Sequence, residues 1–265
     1  MLNAQYTKPQ VRNLVLKLPH RSVPMALTSV GTMRRIGILG GSSDQATADY
    51  YRRLNKAAND RFGGWNTAEV IISSMNFAFS RDCAVHGNWD ALASYLSDRT
   101  IALERAGADL VLCASNTLHR VADKFTSNIS VPFLHIVDPT AEAILHAGLK
   151  RVGLIGTKTT MTSGHLTSRY TGRFGIEIVV PDSDAQNVLD RIIFEELCRG
   201  KIIPCSKATY LGIVDRLCAR GVDGLIMACT EIPLLINQED RPTLPMFDTT
   251  GLHVAAAFKF ALGEC

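Results

Sequence analysis

Two short stretches carry the side chains best suited to moving protons. "CASNT" (113–117) ends an apolar run in Ser115, Asn116 and Thr117, and "ACTE" (228–231) ends another in Cys229, Thr230 and Glu231. A cysteine, with a reference pKa of about 8.5, can be tuned toward the pH at which proton transfer to and from carbon is efficient. A serine hydroxyl lies several units higher and needs an activating neighbour. A thiol on one face of a ligand and a second protic group on the other can remove a proton from one side of a carbon and return it on the other, which is racemisation. Without a metal or pyridoxal phosphate, the carbon acid must be acidified by donors around its carboxylate that stabilise enediolate-like charge. Asn116, Thr117, Thr160 and Thr230 are donors of this kind.

Each of these residues also has an ordinary structural reading. Ser115 or Asn116 could cap a helix, and a cysteine at a strand end is commonly a small buried hydrophobe. Cys113 fits the core, and Cys198 fits helix packing as well as a site. His119 and His135 suit packing or backbone hydrogen bonds. The loop "GILGGSS" lacks the GxGxxG pattern of a dinucleotide site.

From residue 34 onward short apolar runs alternate with helical-period stretches, as in an α/β protein. Strands are expected at 35–40, 69–74, 109–114, 133–137, 151–156, 176–181, 224–229 and 244–248, with helices including 46–60, 88–106, 138–147, 184–199 and 206–220. The chain also repeats itself. "RRIGILGGSSDQAT" is echoed by "KRVGLIGTKTTMTS", "AGADLVLCASNTLHRVAD" by "RGVDGLIMACTEIPLLIN", and "VPFLHIVDPTAEA" by "LPMFDTTGLHVAA", at offsets of 116 (Ile36 to Val152), 114 (Ser115 to Cys229) and 113 (Pro132 to Pro245). Matched blocks in one order at nearly one spacing mean two copies of one βα unit set. Two such halves place their strand C-termini at a shared cleft, so Ser115 and Cys229 are expected as counterparts across it. Each would then begin a helix, where free backbone N–H groups attract an anion and depress a thiol's pKa.

Composition excludes several classes. The net charge is +3, but Lys8, Arg12, Lys17 and Arg21 all precede residue 34 and no acid does, so the remainder carries −1 and no nucleic-acid footprint is expected. No stretch approaches the roughly 18 apolar residues of a membrane span. Seven cysteines without a CxxC pair disfavour a zinc site and a disulfide framework and fit reduced thiols in the cytoplasm. The acid-free segment 1–33 reads as a disordered extension, an upstream start, or an organellar targeting peptide.

"GILGGSSDQATADYYRRLN", "SNTLHRVAD", "VPFLHIVDPT", "GTKTTM", "FEELCRG" and "ACTEIPLL" together resemble the aspartate/glutamate racemase family, in particular its broad-specificity bacterial branch, over essentially all of residues 34–262. The resemblance implies two Rossmann-like α/β domains related by a pseudo-twofold axis, an active-site cleft between them, a homodimer and no cofactor or metal. It implies a first domain of 34–133 plus 245–265 and a second of 134–244. Cys229 matches the family's C-terminal-half cysteine. Ser115 falls where two-cysteine members have the other, so the resemblance implies an L-selective enzyme with Cys229 as the main base. It assigns Asn116, Thr117, Thr160 and Thr230 to the α-carboxylate of a dicarboxylic amino acid, and Ser42, Ser43 and Arg81 to its distal carboxylate. Glu231 stands where cell-wall glutamate racemases have a histidine. A single-cysteine relative, such as a maleate-type isomerase or a decarboxylase, and a silent dicarboxylate-binding protein are the alternatives.

Overall fold

The computed structural model describes residues 33–264, so the extension expected over 1–33 lies, apart from Met33, outside the described residues. The first half runs β1 (Ile36–Gly40), α1 (Asp44–Phe62), β2 (Val70–Ser74), α2 (Phe77–His86), α3 (Trp89–Arg105), β3 (Leu110–Cys113), α4 (Ala122–Phe125), β4 (Phe133–Leu134) and α5 (Val137–His146). The second runs β5 (Arg151–Gly156), α6 (Lys158–Thr162), α7 (His165–Phe174), β6 (Glu177–Val179), α8 (Ser183–Glu195), α9 (Pro204–Ala219), β7 (Leu225–Ala228), β8 (Met246–Asp248) and α10 (Thr249–Leu262). The strands make two parallel four-stranded sheets, ordered β2-β1-β3-β4 and β6-β5-β7-β8, so the internal repeat is a repeat of topology.

Parallel sheets bury both faces under helices, which is why their strands read as unbroken apolar runs. β1, β3 and β7 are buried at every position. In this strand order the chain switches sides of the sheet between β1 and β3, and between β5 and β7, opening a crevice at the strand C-termini. Leu39 pairs with Cys113 and Gly156 with Ala228, so the crevices fall beside Ser42-Ser43 and Ser115 in one half, and beside Thr157 and Cys229 in the other.

The helix after the fourth strand of each half covers the sheet of the other. Val137, Ala141 and Ile144 of α5 join the core around β5 and β7, while Val254, Ala257, Phe258 and Ala261 of α10 join the core around β1 and β3. The segment 245–265 accordingly divides, its strand pairing with β7 in the second sheet and its helix packing on the first. Burial of Val137, Ile144, Val254 and Phe258 on these crossing helices contributes roughly 1.5–3 kcal/mol each, and the alanines contribute less.

The helices expected directly after Ser115 and Cys229 are 3-10 turns, Thr117–Val121 and Ile232–Leu234. Neither Ser115 nor Asn116 caps the first of them through its side chain. In the second, Pro233 supplies no N–H, which suits the tight first turn and not a continuing α-helix.

Candidate active site

The C-terminal ends of β1, β3, β5 and β7 converge on a cavity of about 410 Å3 lined from both halves. That volume suits a small molecule of amino-acid size. Ser42, Ser43, Arg81, Ser115, Asn116, Thr117, Cys229, Thr230 and Glu231 all line it, together with Thr157, Lys158, Asp190 and Cys198. Thr160 is fully buried behind the wall and reaches it through its neighbours.

The first glycine loop is shaped by Gly41, whose φ is +93° and whose absent Cβ would lie 2.2 Å from the Met75 carbonyl oxygen. Its N–H donates to Thr47 Oγ1 at 2.7 Å. Ser43 then caps α1, accepting from the Ala46 N–H at 3.4 Å, and donates its own hydroxyl proton to Glu231 Oε1 at 2.6 Å. Ser42 Oγ donates to Ser115 Oγ at 3.5 Å. Consecutive serines of one loop therefore address the Ser115 side and the Cys229 side of the cavity.

Glu231 is the hub of the thiol side. Oε2 accepts from the Cys229 thiol at 3.0 Å and from Thr230 Oγ1 at 2.6 Å, while Oε1 accepts from Ser43 and, at 3.6 Å, from the Cys198 thiol. Burial pushes the Cys229 thiol well above its ordinary pKa, and the Glu231 carboxylate and the Cys198 thiol add to the rise. The expected depression by a helix N-terminus is thus overturned: the following turn is short, and a carboxylate stands 3.0 Å from the sulfur. Cys198 is likewise raised, by burial and then by Glu231. Cys113 is core, pushed up to about 12 by burial.

Opposite, three hydroxyls make a cluster. Thr117 Oγ1 lies 3.2 Å from both Thr157 Oγ1 and Thr160 Oγ1, and those two lie 2.9 Å apart. Each hydroxyl has one proton and two lone pairs, so three hydroxyls can share protons among themselves and still turn one toward an anion. Asn116 Nδ2 donates to Thr249 Oγ1 at 3.1 Å, and Thr249 passes its proton to the Met227 carbonyl at 2.9 Å. This fixes the orientation of the Asn116 amide.

Two imidazoles hold the backbone of this segment. His119 Nδ1 donates to the Ser115 carbonyl at 2.7 Å, and its Nε2 accepts from the Ile136 N–H at 3.2 Å. His165 Nε2 donates to the Asn116 carbonyl at 3.2 Å, leaving Nδ1 to accept from Ser163 Oγ at 2.5 Å. One nitrogen donating and the other accepting defines a neutral ring. Burial holds His119 far below its ordinary pKa and brings His165 down to about 4. His135, beside His119, is down to about 3 through burial and then Arg169. The structural reading of His119 and His135 holds.

Arg81 reaches the cavity from α2 with its guanidinium 5.4 Å from the Phe194 ring centroid, and among the described residues it makes no ion pair. Lys158, unremarked in the sequence, stands nearby with Nζ donating to Asn187 Oδ1 at 2.7 Å. Arg81 and Lys158 thus bring cationic charge to the lining of the cavity. Glu231 itself was visible only as the residue after Cys-Thr, because its contact with Ser43 spans 188 positions.

A family model described as Asp/Glu/Hydantoin racemase matches residues 36–257. The chain belongs to that family. Racemases are isomerases, and the architecture of two parallel four-stranded sheets matches the fold of the racemase structures. The chain is 25% identical to the broad-specificity amino-acid racemase RacX of Bacillus subtilis, covering 81% of this chain and 92% of that one. Among solved structures it is similar to a Yersinia pestis protein assigned as an Asp/Glu racemase, with 39% identity, a TM-score of 0.80, and coverage of 87% and 100%. It is also similar to an aspartate racemase homologue of Pyrococcus horikoshii, with 35% identity, a TM-score of 0.75, and coverage of 86% and 99%. Against these family members the thiol, hydroxyl and carboxylate groups around the cavity are where a racemase's proton chemistry would be sought. Among the described residues no helix is long and apolar enough to cross a membrane.

Proposed function

We propose that this protein racemises acidic amino acids, aspartate or glutamate, by proton transfer at the α-carbon without a cofactor. Cys229 is the base for the L substrate, and Ser115, or a water it holds, is the weaker donor on the opposite face. The observation that carries this reading is that Ser115 and Cys229, 114 positions apart in matched repeats, follow equivalent strands and line one cavity. A thiol and a hydroxyl so placed differ by several pKa units, each worth about 1.4 kcal/mol of proton-transfer free energy, so turnover is asymmetric.

Asn116 and Thr117, with Thr160 acting from behind Thr117, supply side-chain donors for the α-carboxylate, where the developing negative charge is stabilised; Thr230 lines the same cavity with its hydroxyl proton committed to Glu231. Arg81, with Ser42 at the loop, suits the distal carboxylate. Ser43 stands beside them but spends its proton on Glu231. A homodimer in the cytoplasm completes the reading, supported by the family resemblance and by six described cysteines that are all free.

Proton NMR of L- and D-aspartate and glutamate in deuterium oxide tests it, with wild-type and Cys229→Ser protein. Exchange of the α-proton, faster from the L enantiomer and lost in Cys229→Ser, is expected. No exchange in wild type refutes racemisation, and exchange that survives Cys229→Ser refutes the assignment of the base. The presence of a thiol at only one of the two equivalent positions favours, as a second reading, a one-thiol relative such as a maleate-type isomerase. Consumption of maleate without α-proton exchange would select it.

A further inference from the structure

Glu231 is 3% exposed, and four side chains donate to it, yet among the described residues no lysine or arginine forms an ion pair with it. A buried carboxylate without a cationic partner is costly, and hydrogen bonds offset only part of that. Packing alone does not require it, since a neutral amide of the same shape would fill the space. What the carboxylate offers and an amide lacks is a place for a proton, 3.0 Å from the sulfur of Cys229.

We propose that Glu231 is a positioning residue acting through Cys229: it takes the thiol proton to arm the thiolate and holds that proton while the thiolate works on carbon. The inference rests on the racemase reading above. The Cys229 S–H bond breaks, its proton passes to Glu231 Oε2 and the electron pair stays on sulfur. The thiolate then forms a new S–H bond with the α-hydrogen of the substrate, and the C–H pair moves into the substrate carboxylate. Protonation from the opposite face completes inversion. Glu231 now holds the former thiol proton while the opposite face is one proton short, and transfer of that proton through solvent to the opposite face restores both groups.

Two features support this order of events. Burial and the carboxylate raise the thiol, so solvent alone would seldom ionise it, while the thiolate once formed is a stronger base toward carbon. Ser43 and Thr230, each at 2.6 Å on different oxygens, keep Oε2 directed at the sulfur. The titratable groups that act on the pair are Cys198 and Tyr210, and Arg81, Lys158 and Asp190 line the same cavity.

The test compares wild type, Glu231→Gln and Glu231→Asp in two measurements: α-deuteration of L-aspartate across pH, and iodoacetamide labelling of Cys229 across pH by mass spectrometry. Glu231→Gln removes the negative charge, so labelling of Cys229 should shift to lower pH. If Glu231 only held the thiol up, turnover would then rise. The proposal requires the reverse: kcat falls by roughly 100-fold or more, KM changes by less than about threefold, and the acid limb of the rate profile disappears. Glu231→Asp keeps the limb and loses about tenfold. Turnover kept or raised in Glu231→Gln overturns the proposal and leaves the racemase reading intact, whereas a wild type without α-exchange overturns both. Should Glu231→Gln not fold, Glu231→Asp decides: unchanged kcat at the shorter reach overturns the proposal.

Discussion

The hydroxyls of Ser42 and Ser115 lie 3.5 Å apart, joining the first glycine loop to the end of β3 on the face of the cavity that lacks a thiol. A hydroxyl with only another hydroxyl beside it gains no base of the kind Glu231 gives Cys229. The two faces are therefore chemically unequal although the folds that present them are the same.

Ser115→Cys should remove that inequality. The thiol's lower pKa favours proton transfer by about 1.4 kcal/mol per unit. The α-deuteration rate of D-aspartate should rise at least about tenfold relative to wild type, with that of L-aspartate changing far less. Proton NMR in deuterium oxide reads both. Equal change in the two enantiomers would show that Ser115 does not face the substrate's second side.

Acid should unfold the protein early. His119, His135 and His253 are buried neutral and His165 is partly buried and neutral, with desolvation the first cause in each, at well below the usual value for His119, about 3 for His135, and about 4 for both His165 and His253. In the unfolded chain each titrates near 6.5. The folded pKa values are depressed, so the unfolded state binds more protons below 6.5, and stability is full above that pH and falls as pH drops toward 4 and 3. Near pH 5 unfolding takes up roughly four protons, which makes the loss on the order of several kcal/mol per pH unit. Urea midpoints measured between pH 7 and 4.5 check the slope. His119→Phe, which also strands the Ser115 carbonyl and the Ile136 N–H, should flatten it while lowering stability at pH 7.

Much of this architecture is legible in the chain. The offsets of 113 to 116 yield two sheets of one topology, because each echoed block is a whole strand with its following turn. They also bring Ser115 and Cys229 to one cavity. Apolar periodicity cannot say which sheet a helix will cover, so the exchange of α5 and α10 between the halves was hidden. Strand-then-helix patterning likewise hid the 3-10 turns after Ser115 and Cys229, which depend on Pro233 and on where His119 finds its carbonyl. Glu231 was visible, but its role comes from Ser43, Cys198 and Cys229 meeting it in space, and no local pattern encodes that.

Gly41→Ala should disable the loop that carries Ser42 and Ser43. The new Cβ would meet Met75 backbone atoms at 2.2 and 2.4 Å in a backbone conformation with φ of +93°, and neither side can yield without shifting β1 or the start of α2. A loss of about 3 kcal/mol or more is expected, together with loss of the contact between Ser43 and Glu231. Denaturant unfolding measures the first. Cys229 labelling across pH measures the second, which should move as the carboxylate loses one of its anchors. A variant with wild-type stability would show that the loop relaxes more readily than its packing indicates.

The last expectation separates the wall of the cavity from its support. Thr117 lines the cavity, whereas Thr160 is buried and touches it only through its 3.2 Å contact with Thr117 and its 2.9 Å contact with Thr157. If the cluster holds the α-carboxylate, Thr117→Val removes a direct hydrogen bond to a charged group, worth about 1.5–3 kcal/mol, and KM should rise roughly 10- to 100-fold. Thr160→Val keeps the wall intact but leaves Thr117 free to turn, so KM should rise only a few-fold. Its cost should appear instead as about 1–2 kcal/mol of stability from the broken buried hydrogen bonds. Steady-state kinetics with L-aspartate and urea unfolding of the same two variants give the comparison. A larger KM effect from Thr160 than from Thr117 would mean that the substrate enters deeper than the cavity wall and displaces the cluster.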